Sequence, residues 1–128
     1  MARILLVDDD TSVLHVIDNM LTRAGHQVVA VNSGREALAR LGAESFDIVV
    51  TDIMMPDING VDIALEIKSF LPQTPVLAIS GANEALFEAM SHGADRQLSK
   101  PFSYDELVGT VECMLGIGHR RGGITTDT

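Results

Sequence analysis

The sequence has no tryptophan, one tyrosine and four phenylalanines, so aromatics reach only 4 % while apolar residues reach 46 %. Any core must therefore be aliphatic, built from Val, Ile, Leu, Ala and Met. A single cysteine, Cys113, excludes an internal disulfide and fits a reducing cytoplasm. No apolar run approaches the ~20 residues that a membrane helix needs. The opening MARILLVDDD reaches acids within ten residues, unlike a secretory leader. Basic residues are also scarce: 9 Lys and Arg against 18 Asp and Glu, for a net charge of -9. Nucleic-acid affinity draws mainly on Lys and Arg facing phosphates, so this domain is not read as a nucleic-acid binder. A length of 128 residues implies one domain.

What is present is an alternation of short apolar runs with helical patterns. RILLV (3–7) is β-type and stops at acids. Val13, Leu14, Ile17, Leu21 and Ala24 follow at helical spacing, with Thr11 or Ser12 as cap and Gly25 as stop. HQVVAV (26–31) predicts a second strand. Ser33 then caps a short helix that buries Ala37, Leu38 and Leu41, and Gly42 stops it. FDIVVT (46–51) leads to Asp52, and MPDING is loop-like. Val61, Ala64, Leu65 and Ile67 predict a helix up to Phe70. VLAIS (76–80) is a fourth strand, a helix is expected over 84–92 with Gly93 past its end, and RQLS (96–99) is a fifth strand. Ser103 and Glu106 form a capping box for a last helix faced by Leu107, Val111 and Met114. The folded unit is thus 1–116. The Gly-rich remainder, 117–128, reads as a flexible tail or the start of a linker.

Successive β-α units imply an α/β fold, a doubly wound parallel sheet with helices on both faces. The strands lack alternation, as strands buried on both sides do. Ligands of such folds sit beyond the carboxyl ends of the strands. Asp8, Asp9 and Asp10 stand there after strand one, Asp52 after strand three, Ser80 at the end of strand four and Lys100 after strand five. Gathered carboxylates repel each other unless a cation joins them. A hard cation such as Mg2+ suits them. Metal, ammonium and hydroxyl together match the equatorial oxygens of a phosphoryl group. Asp10 is read as a secondary acid or a helix-start residue rather than a metal ligand. The histidines, His15, His26, His92 and His119, share no metal-ligand spacing and are assigned to surface or capping roles. Cys113 is read as a packing residue.

ILLVDDD, VVTDIMMPDING, LAIS and LSKPF, in this order, resemble the motifs of the response-regulator receiver family. The resemblance covers residues 3 to about 115. It implies a flavodoxin-like (βα)5 sheet of five parallel strands in the order 2-1-3-4-5. It makes Asp52 the phosphoacceptor, with Pro56 and Gly60 at offsets of four and eight. It assigns Mg2+ to Asp8, Asp9, Asp52 and the backbone carbonyl of Met54, and phosphoryl contacts to Ser80 and Lys100. It also makes Lys100-Pro101 a candidate cis peptide bond. The implied partner is a sensor histidine kinase or a histidine phosphotransfer protein. Pairing of two copies through the fourth helix, fifth strand and fifth helix is a further expectation. The implied location is cytoplasmic, with no membrane contact. A phosphatase of similar fold with an aspartyl nucleophile is the competing reading. Such enzymes often carry an acid two residues after the nucleophile, where this chain has Met54. A degenerate receiver acting only as a scaffold is opposed by the intact Asp8, Asp9, Asp52, Ser80 and Lys100 set.

Three departures from the family pattern are visible. Gln97 occupies the switch position three before Lys100, where many members carry Tyr or Phe. The segment from Ser80 to Lys100 is shorter than the common spacing. Two after Asp52 and two after Ser80 stand Met54 and Ala82, which cannot orient an attacking water as polar side chains can. The expected result is a phosphoacceptor that assists its own phosphorylation but loses the group slowly. The decay of phosphorylated protein in Mg2+ checks this. Substituting Met54→Asn together with Ala82→Glu should speed it, by less than the ~10²–10⁴-fold of full general-base assistance. Fast decay in the parent, unchanged by both substitutions, would contradict the reading.

Overall fold

Strands that are apolar on both faces require cover on both sides, and the structure provides it. A computed structural model describes residues 2–53, 60–81 and 93–116. Five strands are formed: β1 Arg3–Val7, β2 Gln27–Val31, β3 Ile48–Asp52, β4 Val76–Ser80 and β5 Arg96–Ser99. The helices among the described residues are α1 Thr11–Arg23, α2 Gly34–Ala43, α3 Gly60–Phe70 and α4 Tyr104–Leu115. All strand pairs are parallel, in the order β2-β1-β3-β4-β5. This is the doubly wound sheet expected from the sequence.

Alternate residues of β1, β3 and β4 enter opposite cores. Leu5, Val7, Val49, Val76 and Ala78 pack with Ala37 of α2 and with Ala64 and Ile67 of α3. Ile4, Leu6, Ile48, Val50, Leu77 and Ile79 pack with Ile17 and Leu21 of α1 and with Leu107 and Val111 of α4. Each face thus buries aliphatic surface worth ~25 cal/mol per Å² removed from water. With this cover, β1, β3 and β4 are fixed as rigid rails whose carboxyl ends share one edge.

The helix ends explain several boundaries. Asp10, not Thr11 or Ser12, caps α1: its carboxylate accepts from the N–H groups of Ser12 and Val13. Ser33 caps α2 through the N–H of Glu36. α2 continues through Gly42 to Ala43 instead of stopping, and Arg40 pairs with Glu44 across the last turn. Arg3 also grips Glu44, and the two guanidinium groups hold that carboxyl below its ordinary range, Arg3 most strongly. α3 buries Ala64 and Ile67, but Leu65 points outward and is 48 % exposed. The expected helix over 84–92 lies outside the described residues, as do Pro56, His92, His119 and the tail 117–128.

Gly93 closes the approach to β5. Its φ is +133°, and a Cβ there would lie 2.9 Å from Cγ of Lys68 and 3.4 Å from the carbonyl oxygen of Ala64. Lys68 in turn pairs with Asp95 at 2.8 Å, which ties α3 to the entry of β5. His26 corrects the surface assignment, because it is buried between the chain start and α4. Its Nδ1 accepts from the N–H of Ala2 at 3.2 Å, and its Nε2 lies 3.3 Å from Glu112.

The capping box of α4 is complete: Ser103 accepts from the N–H of Glu106, and Glu106 accepts from the N–H of Ser103. Ser103→Ala should therefore lower unfolding free energy by about 1 kcal/mol. Urea denaturation measures this, and an unchanged midpoint would deny the cap its role.

Candidate phosphoacceptor and cation site

The rails deliver their terminal residues to one place. Asp8 follows β1 directly, and its N–H donates to the carbonyl of Val31 in β2 at 3.2 Å. Asp52 is the last residue of β3, and the next N–H, of Ile53, donates to Ile79 of β4. Ser80 ends β4, paired in register with Ser99 of β5. Lys100 follows β5, anchored by its N–H on the carbonyl of Ser80 at 3.1 Å. Four strand ends thus supply four side chains through backbone ladders, not through flexible loops.

The carboxylates meet. One oxygen each from Asp8, Asp9 and Asp52 lie within 4.8 Å of one another. Asp8 and Asp52 are buried, while Asp9 is exposed at the mouth. Lys100 reaches in between them, with Nζ 3.3 Å from Asp8 and 3.7 Å from Asp52. The first is a hydrogen bond, and the second is an electrostatic contact. Asp8 is oriented at its other oxygen too, which accepts from the N–H of Asp10 at 3.0 Å. One ammonium therefore faces three carboxylates, two of them buried. The imbalance suits a divalent cation with hard oxygen ligands.

Ser80 is buried at 2 % exposure. The Lys100-Pro101 peptide bond is cis, as the sequence motif implied. Gln97 is exposed on β5, opposite Ala78. Met54 and Ala82 lie outside the described residues. So does much of the expected pairing face, which includes residues 84–92.

A feature not foreseen from the sequence adjoins the site. Val13, Val16, Ile17 and Met20 of α1 face Pro101 and Phe102 across an apolar groove of about 330 Å³ whose rim includes Lys100. Val16 is 52 % exposed. The signal was available, because Val13, Val16, Ile17 and Met20 form a stripe at helical spacing wider than the buried face requires.

A family model described as the response regulator receiver domain matches residues 4–112. The chain is a response-regulator receiver domain. Members of this family are phosphoacceptor switches, not turnover enzymes. The receiver is 36 % identical over 118 residues to the transcriptional regulatory protein ZraR of Escherichia coli (strain K12), covering 91 % of this chain and 27 % of that protein. It is 36 % identical over 122 residues to the DNA-binding transcriptional regulator NtrC of Rhizobium meliloti (strain 1021), covering 94 % and 25 %. The receiver thus spans only about a quarter of the length of these curated relatives. Among solved structures, response regulator protein TrrA from Thermotoga maritima in complex with Mg(2+)-BeF superposes with a TM-score of 0.84 at 29 % identity. That match covers 89 % of this chain and 99 % of that one.

The charge imbalance in the receiver predicts opposite effects of two substitutions without divalent metal. Asp52→Asn should raise unfolding free energy, on the order of 1 kcal/mol, by relieving repulsion that serves function rather than stability. Lys100→Ala should lower it, because two buried carboxylates lose their counter-charge. Denaturation in EDTA checks both, and equal signs would refute the electrostatic account.

Proposed function

We propose that this receiver accepts a phosphoryl group on Asp52 from a phosphohistidine of a sensor histidine kinase or histidine phosphotransfer protein, with Mg2+ as the cation. The observation that carries the reading is the meeting of Asp8, Asp9 and Asp52 within 4.8 Å beside Lys100. The three carboxylates fit a divalent cation by number, hardness and spacing, and Asp8, Asp9 and Asp52 would hold it together with the carbonyl of Met54. When bound, Mg2+ supplies positive charge to the equatorial oxygens of the phosphoryl group.

The residues of the chain do the rest. A carboxylate oxygen of Asp52 attacks phosphorus as the phosphorus–nitrogen bond of the donor breaks. The bonding electron pair stays on the imidazole nitrogen, and Asp52 becomes an acyl phosphate. Lys100, already 3.7 Å from Asp52, stabilises the negative charge of the transferred group. Ser80 offers a hydroxyl to the same group from the end of β4. The apolar groove between α1 and Phe102 borders Lys100, so a helical partner seated there would present its phosphohistidine near Asp52. His15 and Val16 are exposed on the same helix and would meet that partner.

In this reading residues 1–116 are the receiver domain, and 117–128 are a tail or the start of a linker. A net charge of -9 speaks against nucleic-acid contact through this domain. No described helix is long and apolar enough to cross a membrane. A cytoplasmic location, and slow loss of the phosphoryl group for want of polar side chains at Met54 and Ala82, belong to the same proposal. Intact-mass measurement after treatment with a small acyl-phosphate donor and Mg2+ tests it. One added phosphoryl group is expected on the parent and none on Asp52→Asn, which keeps the shape but lacks the nucleophile. Equal labelling of both would move the acceptor elsewhere.

A further inference from the structure

Asp10 is the acid of the Asp8-Asp9-Asp10 run that stays out of the metal-competent group found among the described residues. Its carboxylate is committed elsewhere. One oxygen accepts from the N–H of Ser12 at 3.0 Å and from that of Val13 at 3.3 Å. These are first-turn donors of α1 that have no partner within the helix. Its carbonyl oxygen accepts from the N–H of Leu14 at 2.9 Å, the first intrahelical bond. Its own N–H points the other way and donates to the carboxylate of Asp8 at 3.0 Å. One exposed residue thus joins the start of α1 to a nearly inaccessible site carboxylate.

We propose that Asp10 is a positioning residue for the cation site: its side chain fixes the first turn of α1, and its backbone N–H then holds Asp8 in place. Two anchors set the Asp8 carboxylate, Asp10 on one oxygen and Lys100 on the other. Lys100 is the group that must serve the phosphoryl oxygens, so the Asp10 anchor is the one free to remain throughout. Without the cap, Asp10 is no longer held at its extended φ of -84° and ψ of 106°, and its N–H loses its aim at Asp8. The charge of Asp10 is not what matters. Capping needs a side-chain oxygen, which Asn and Ser also provide and Ala does not.

This inference rests on the cation-site reading above. Its test compares Asp10→Asn and Asp10→Ser, which keep a cap but lose the charge, with Asp10→Ala, which loses both. MgCl2 is titrated into the full chain and followed by amide NMR. The Asn and Ser variants should bind within about twofold of the parent. The Ala variant should bind on the order of tenfold more weakly, as loss of an outer-shell partner does. A cap that is merely structural would lower the melting temperature of the Ala variant in EDTA but leave its Mg2+ affinity in place. That result would overturn the proposal, and so would equal weakening in all three variants, which would assign the effect to charge. A second readout needs no variant. Because binding and cap are linked, Mg2+ should slow hydrogen exchange at the N–H groups of Ser12 and Val13 in the parent. Unchanged exchange at saturating Mg2+ would also overturn it. A parent that binds no Mg2+ would fail the cation-site reading itself, a result distinct from any difference among variants.

Discussion

Carboxylate oxygens of Asp8, Asp9 and Asp52 lie within 4.8 Å of one another, and one ammonium faces them. Such a cluster would not persist at a flexible surface, where repulsion would simply spread the groups apart. It persists here because each acid is attached to a strand end that cannot move alone. Asp8 and Asp52 continue or end strands whose side chains fill both cores. The aliphatic packing therefore holds apart-seeking charges together, and the site is a store of unfavourable electrostatics maintained by the fold. A divalent cation would release part of that tension, whereas a phosphoryl group on Asp52 would add negative charge and make the cation and Lys100 the more necessary.

The same constraint orders the rest of the molecule. A parallel sheet sends all its carboxyl ends to one edge, so four separate strands can supply one site. The opposite end carries different work. There Arg3 bonds Asp47, Ser45 and Glu44, and His26 links Ala2 to Glu112 of α4. These contacts tie the beginning of β1 to the ends of α2 and α4. The strand that carries Asp8 is thereby anchored at both extremities.

Much of this was legible in the sequence. β1, β4 and β5 match RILLV, VLAIS and RQLS residue for residue, because acids, Pro and Gly punctuate those runs sharply. The residues that gather at the strand ends were legible for the same reason, since polar residues at the ends of apolar runs stand out. Other features depend on choices between near-equal neighbours. Asp10, Thr11 and Ser12 are all good caps, and contact with Asp8 favours the first. Gly42 costs a helix about 1 kcal/mol, and the Arg40-Glu44 pair supports α2 past it. The burial of His26 relies on partners near both ends of the folded unit, 24 residues before it in the case of Ala2. No local pattern encodes that. The stripe through Val16 was visible as helical periodicity, but periodicity marks apolar positions without saying which of them face the core.

If stored repulsion at the strand ends is the central physical fact, a divalent cation must stabilise the folded chain. The direct measurement is unfolding free energy against MgCl2 concentration at constant ionic strength. The account predicts an increase that approaches ~1.4 kcal/mol per tenfold rise in free Mg2+ above the dissociation constant, as binding to the folded state alone requires. The increase should vanish when Asp9 is replaced by Ala. A stability that stays flat across the titration, or that rises equally in Asp9→Ala, would contradict it.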